Sequence, residues 1–179
     1  ARIAAPGKRS AQHSAAAPWH AQAVLRHPAG KLDEAEPLYR QALKLCPDHF
    51  DSLHMLGVLQ AQRGQAAEAA ELIGSALRLR PDDATALNNL AGALNLLHRF
   101  EEALACFNRL MTQQAGNADI HTSRADALRG LGHHAESLAA CDKALQIKPK
   151  LLRAQIARAN ALRRLNRFDE ALAGLDAVL

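Results

Sequence analysis

One nonapeptide is written three times in this chain. RFEEALACF fills residues 99–107 and RFDEALAGL residues 167–175, 68 positions later, while KLDEAEPLY at 31–39 lies 68 positions before the first. Drifted copies stand at the half-way points, QAAEAAELI at 65–73 and HHAESLAAC at 133–141, so the true period is 34. On that period one column reads Ala35, Ala69, Ala103, Ser137 and Ala171. Four residues on, a second reads Tyr39, Ile73, Phe107, Cys141 and Leu175. Eight further on, a third reads Pro47, Pro81, Ala115 and Pro149. A fixed period of this length marks a stacked array, because one such unit cannot bury its apolar face without its neighbours.

Each column has a physical meaning. Residues four apart share one face of a helix, so the small column lets a neighbouring helix approach and the large column fills the same face a turn later. The acids ahead of the small column favour the positive end of a helix dipole. The prolines cannot continue a helix and end the unit. A partner helix lies upstream in each unit, as in SLHMLGVLQAQRG at 52–64 and ALNNLAGALNLLH at 86–98. Gly30, Gly64 and Gly132 mark the turns between paired helices, and His98 and Asn166 stand in that place in the other two units. Composition agrees. The chain is 49% hydrophobic but only 3% aromatic, and no run of β-branched residues reads as a strand. The expected class is all-α, a solenoid of about five helical hairpins. No stretch approaches the length of a membrane span.

The second unit, with Leu53-x2-Leu56-Gly57-x2-Gln60, Ala69-x3-Ile73 and Pro81, resembles the tetratricopeptide repeat, and the first carries that family's tryptophan as Trp19. The resemblance spans residues 16–179. It implies a right-handed superhelix whose repeats are 16–49, 50–83, 84–117, 118–151 and an incomplete 152–179. Residues 1–15, small and basic without the apolar stretch of a secretory signal, are expected as a flexible basic tail. The chain starts without methionine and stops four residues short of the next place in the proline column with no polar capping helix, so continuation of the natural protein is expected. Pro28 should shorten or kink the first helix. Pro37 should sit near the start of its helix, where a missing N–H matters least. Arg124 and Arg158 occupy a column that is apolar at Leu56 and Leu90; their stems should pack while the guanidinium reaches a carboxylate or carbonyl.

No hydrolase elbow, phosphate loop, zinc-protease motif or dinucleotide fingerprint is present, so the chain reads as a non-enzyme with no cofactor. His133 and His134 are adjacent and point different ways. His13, His20, His27, His49, His54, His98 and His121 are scattered, and all nine are read as solvated or packing residues rather than metal ligands. Cys46, Cys106 and Cys141 form no CxxC pair and are expected as buried reduced thiols, which points to a cytoplasmic setting.

Function must then lie in a surface. The resemblance implies a concave groove, lined by the first helix of each repeat, that holds an extended peptide or a helix. Its lining transfers to His54, Met55, Val58 and Gln62 in repeat two, and to Asn88, Asn89, Asn95 and Leu96 in repeat three. Repeat four supplies Thr122, Ser123, Asp126 and Arg129, and repeat five Arg153, Ile156, Asn160, Arg163 and Arg164. Asparagines both donate and accept, so the middle suits a peptide backbone. Residues 143–167 hold eight Lys or Arg and no acid, which would attract an acidic segment of a protein partner. A solvated basic face, partly answered by Asp169, Glu170 and Asp176, is the alternative. Nucleic acid is disfavoured: net charge is only +4, and the aromatics fall in core columns or at helix boundaries.

Narrower resemblances can be weighed residue by residue. The two-carboxylate clamp of heat-shock chaperone adaptors is broken here, because only Asn89 matches while His54, Val58, Asp119 and Ser123 do not. Residues 30–43, 52–64 and 84–94 are similar to the N-terminal repeats of the O-linked N-acetylglucosamine transferase and SPINDLY group. That implies the alternative of a substrate-presenting arm of a glycosyltransferase. The group's asparagine ladder falls here on Met55, Asn89, Ser123 and Ala157. Self-association through Leu172, Leu175 and Val178 of the last repeat is a third expectation.

Overall fold

The computed structural model describes the backbone of residues 6–176 and the side chains of residues 10–174. Among the described residues there are ten α-helices and no strand: α1 (Pro6–Arg26), α2 (Leu32–Leu45), α3 (Phe50–Gln62), α4 (Ala66–Leu79), α5 (Ala84–Leu96), α6 (Phe100–Gln113), α7 (Ala118–Gly130), α8 (His134–Ile147), α9 (Leu152–Arg164) and α10 (Phe168–Asp176). They alternate as the two arms of five hairpins. No described helix is long and apolar enough to cross a membrane. The chain divides within α5 into two compact units, residues 1–89 and 90–179.

The columns of the repeat fall where the physics puts them. Ala35, Ala69, Ala103, Ser137 and Ala171 are all buried at the start of the second helix of their hairpins, and Tyr39, Ile73, Phe107 and Cys141 are fully buried a turn later. Ser137 replaces alanine at no cost in buried polarity, because its hydroxyl donates to Ala125 O at 2.8 Å. The prolines stand one residue past the C-caps Cys46, Arg80 and Lys148. In the first unit α1 packs on α2, α2 on α3 and α3 on α4, around Ala23, Ala35, Tyr39, Leu56 and Leu59. In the second, α6 through α10 pack in chain order around Leu128, Cys141, Leu138 and Leu162.

The turn residues carry the tightest backbone requirement. Gly30, Gly64 and Gly132 have φ of +74°, +77° and +79°, and His98 and Asn166 adopt the same left-handed region at +57° and +60°. Each hairpin closes in a Schellman motif: at His98, the His98 N–H bonds Asn95 O and the Arg99 N–H bonds Leu94 O. First helices start two residues earlier than the apolar pattern suggested. The cap column explains this: the side chains of His49 and Asn117 accept from backbone N–H groups of the first turn, and Asp83 Oδ1 accepts from Ala86 N.

Repeat one departs from expectation in four ways. Residues 6–15, expected as part of a flexible tail, are the first turns of α1, with Pro6 at the position where its missing N–H costs nothing. The helix runs through Pro18 and stops at Arg26, two residues earlier in register than the other first helices, so Pro28 follows it in the turn. Pro37 is the sixth residue of α2 rather than one of its first turn; its absent N–H leaves the carbonyl of Asp33, at the exposed start of the helix, to water. Trp19 is 37% exposed, whereas Leu53, its counterpart, is buried. Among the described residues no hairpin precedes α1 to cover that side.

Candidate peptide-binding surface

The residues expected to line a groove fall on α3, α5, α7 and α9, and the structure treats them differently. In the first unit His54 is buried, tilted against the Phe50 ring, and its Nε2 accepts from Asn89 Nδ2 at 2.9 Å. Burial pulls the His54 imidazole below the usual histidine range, against the attraction of Asp83 and Asp51. It is a packing residue that orients Asn89, not a ligand-facing side chain. Met55 leans on the core and Val58 is half-buried. Gln62 is exposed, but its Oε1 lies 3.1 Å from His27 Nε2, while His27 Nδ1 is 3.2 Å from the Tyr39 hydroxyl. Asn88 is exposed.

In the second unit Thr122 is fully buried and donates to Ala118 O at 2.8 Å, so it belongs to the helix rather than the groove. Asn95 reaches Ser123 O from α5 at 3.3 Å and Leu96 is exposed. The remaining residues converge. Asp126, Arg129, Leu152, Arg153, Ile156, Ala157 and Asn160 line one cleft of about 430 Å³ between α7 and α9. Five of these seven were expected from the sequence. Leu152 was not, and Ala157 stood only as a rung of the asparagine ladder, although both follow from the spacing: 153, 156, 157 and 160 form one face of α9, and Leu152 opens that helix. Ile156 and Leu152 are 47% and 54% exposed, an apolar floor that the fold leaves uncovered. Arg153 Nη2 donates to Asp126 Oδ2 at 2.8 Å, and Arg129 lies 3.7 Å from the other oxygen. Arg163 and Arg164 continue the face of α9 by one turn, are exposed, and make no ion pair among the described residues.

The basic stretch is answered from an unexpected side. Asp126 on α7 meets Arg153, and Asp142 on α8 accepts from Arg158 Nε at 2.6 Å, while of the acids expected to answer it Glu170 meets Arg167 at 2.7 Å. Arg124, in the same column as Arg158, donates to the Asn108 carboxamide oxygen at 3.3 Å. Both arginines are half-buried with a capped head. A larger cleft of about 520 Å³ lies on the opposite face of α9, against α8 and α10, and includes Arg158 and Asp142. For self-association, Leu172 is exposed, and the Leu175 and Val178 side chains lie outside the described residues.

Three family profiles, each described as a tetratricopeptide repeat, match residues 14–82, 61–127 and 118–151. The chain belongs to the tetratricopeptide repeat family. Solved structures agree on the fold. MamA 41-end from Desulfovibrio magneticus RS-1 superposes with a TM-score of 0.86 at 16% identity, covering 91% of this chain and 92% of that one. Two further MamA crystal structures superpose at 0.84 and 0.80, both at 22% identity, covering 92% and 87% of this chain and 90% and 91% of theirs. Curated proteins yield no match in sequence. Tetratricopeptide repeats of this kind are quasi-one-dimensional stacks that present extended binding surfaces rather than enclosed active sites.

Proposed function

We propose that the chain is a protein-interaction scaffold without catalysis of its own, and that its α7–α9 cleft takes a peptide carrying an aliphatic side chain beside a carboxylate. One observation carries this reading: Leu152 and Ile156, large, apolar and half exposed, stand in a cleft rimmed by Arg129, Arg153 and Asn160. Uncovered apolar surface rimmed by polar groups is typical of binding sites. An incoming carboxylate would displace Asp126 from Arg153, and Arg163 and Arg164 would attract it at longer range. In the first unit the exposed carboxamide of Asn88 suits a separate contact with a peptide backbone. Asn89 contributes less, since one of its donors is committed to His54.

The test is selection of peptides from a random displayed library on the purified chain. Enrichment of aliphatic residues next to Asp or Glu is expected. Ile156→Asp should abolish binding of the selected peptides, and Arg163→Glu with Arg164→Glu should weaken it most at low salt. Selected peptides without an acid, or binding indifferent to Ile156→Asp, would refute the site.

The narrower alternative, a presenting arm of an O-linked N-acetylglucosamine transferase-like enzyme, draws support only from Asn89 in the ladder place. Ala157, at another rung, is buried.

A further inference from the structure

Three histidines stand seven residues apart, His13 and His20 in α1 and His27 one residue past its end, and a spacing of two helical turns puts them on one face. That period escaped the reading of the histidines as scattered. All three point toward α2 and α3. His27 is held by Tyr39 and Gln62, and His20 Nδ1 lies 3.1 Å from Ser52 Oγ. His13 meets a different chemistry. Its Nδ1 is 3.4 Å from Cys46 Sγ, which in turn lies 3.1 Å from Asp48 Oδ1, and the three donor atoms are all within 4.8 Å of one another.

We propose that His13, Cys46 and Asp48 form a zinc-class metal site that fastens α1 to the α2–α3 turn. An imidazole, a thiolate and a carboxylate are the mixed donor set that suits Zn²⁺ rather than Mg²⁺ or Ca²⁺. Zn–S of about 2.3 Å with Zn–N or Zn–O of about 2.0 Å sets tetrahedral edges of about 3.5 Å. The sulfur–nitrogen and sulfur–oxygen separations already lie within a few tenths of an ångström of that; Cys46 Sγ also lies 3.8 Å from His13 Nε2, so the imidazole must turn to aim Nδ1 at an ion. Three protein ligands leave the fourth position to water. Cys46 is fully buried and His13 and Asp48 are half-buried, so the site is sheltered yet reachable. Binding replaces the Cys46 S–H proton by the metal and releases that proton to solvent.

The repeat does not require these residues. The places of Cys46 and Asp48 are filled by Arg80 and Asp82, Gln114 and Gly116, and Lys148 and Lys150 in the following units, and none of those pairs holds a thiol. Repeat one also has a particular need for a fastening. Its first helix carries Pro18 in its interior and, among the described side chains, buries only Ala16 and Ala23 as apolar groups. The site is independent of the peptide-binding cleft and lies wholly within the first unit.

The probe is Co²⁺ titrated into the full chain under reducing conditions, followed by displacement with Zn²⁺. One equivalent is expected to give a thiolate-to-cobalt charge-transfer band with intense tetrahedral ligand-field bands, lost on adding Zn²⁺. His13→Gln and Asp48→Asn, each checked for folding by circular dichroism, should weaken binding roughly tenfold or more, since even outer-shell changes cost 10- to 100-fold. Zn²⁺ should raise the melting temperature of the wild type and raise that of His13→Gln distinctly less. A readout on the wild type alone guards against misfolded variants: Zn²⁺ should slow alkylation of Cys46, located by mass spectrometry. Absence of the thiolate band, affinity unchanged in the folded His13→Gln chain, or Cys46 alkylated equally fast with Zn²⁺ would overturn the proposal.

Discussion

Adding one methyl group at two glycines of this chain should move stability in opposite directions. Gly92 lies on α5 with nothing within 4 Å of where a Cβ would stand. Gly57 lies on α3, where a Cβ would come within 2.5 Å of Ile73 Cγ1, 3.2 Å of Ala69 O and 3.3 Å of Ile73 Cδ1. Glycine to alanine in a helix interior gains about 1 kcal/mol of propensity. Gly92→Ala should keep that gain, about 1 kcal/mol. At Gly57 the first atom struck is the γ carbon of a β-branched, fully buried side chain, which has no other rotamer to retreat to. Overpacking of that kind costs about 1–3 kcal/mol, so Gly57→Ala should be destabilised by a net of about 1 kcal/mol. The two variants should differ by about 2 kcal/mol, read from equilibrium urea unfolding by far-UV circular dichroism with m-values compared. The corresponding residues in the next two repeats are Ala91 and Ala125, where the second-helix column holds Phe107 and Cys141 rather than a β-branched side chain. A cycle with Ile73→Ala isolates the contact: alone it should cost about 2–5 kcal/mol, but combined with Gly57→Ala distinctly less than the sum. If Gly57→Ala stabilises as much as Gly92→Ala, or the cycle is additive, the close approach of α3 and α4 is not the reason for glycine.

His98→Gly should raise stability by about 0.5 kcal/mol. It removes a left-handed cost of about 1–2 kcal/mol, but gives back glycine's chain entropy and the edge contact with Phe100. Asn166→Gly should gain less, because asparagine tolerates that region; thermal melts of the pair decide it. His54, whose imidazole is depressed by burial, takes its proton more readily when unfolded. Its contribution is therefore complete above the ordinary value of 6.5 and is lost as pH falls below it. NMR titration should place His54 below 6.5, and His54→Gln should flatten the acid side of the stability curve. The Tyr39 phenol is pushed up to about 12 by burial from an ordinary value of 10, so its contribution holds below pH 10 and drains between 10 and 12. Ultraviolet titration should show no phenolate near pH 10.5 in the folded chain. The Cys141 thiol is pushed up to about 12, chiefly by burial and then by Asp126 and Asp142, so iodoacetamide at neutral pH should leave it unmodified until the chain unfolds.

Most of the local architecture was legible in the sequence because a 34-residue period samples the same environment repeatedly. Each column then reports its own requirement: Ala35 to Ala171 a close approach, Tyr39 to Cys141 a filled face, Pro47 to Pro149 a stop, Gly30 to Asn166 a left-handed turn. The unrepeated features were hard to read. The N-cap column of His49, Asp83 and Asn117 was visible only as mixed residue types, and Pro37 lay further into its helix than its proximity to the turn implied.

Which residues of α3, α5, α7 and α9 face a ligand was decided by tertiary structure. His54 and Thr122 share a helix face with exposed residues, yet the first turned inward to Asn89 and the second bonded its own helix. Asp126 became the answer to Arg153 across 27 positions of sequence, which no local charge count could supply. The same holds for His13, brought to Cys46 and its neighbour Asp48 across 33 positions. Periodicity fixes what a position must be within its own hairpin, because that environment recurs. Contacts between hairpins combine different residues at every step, so only the packed chain determines them.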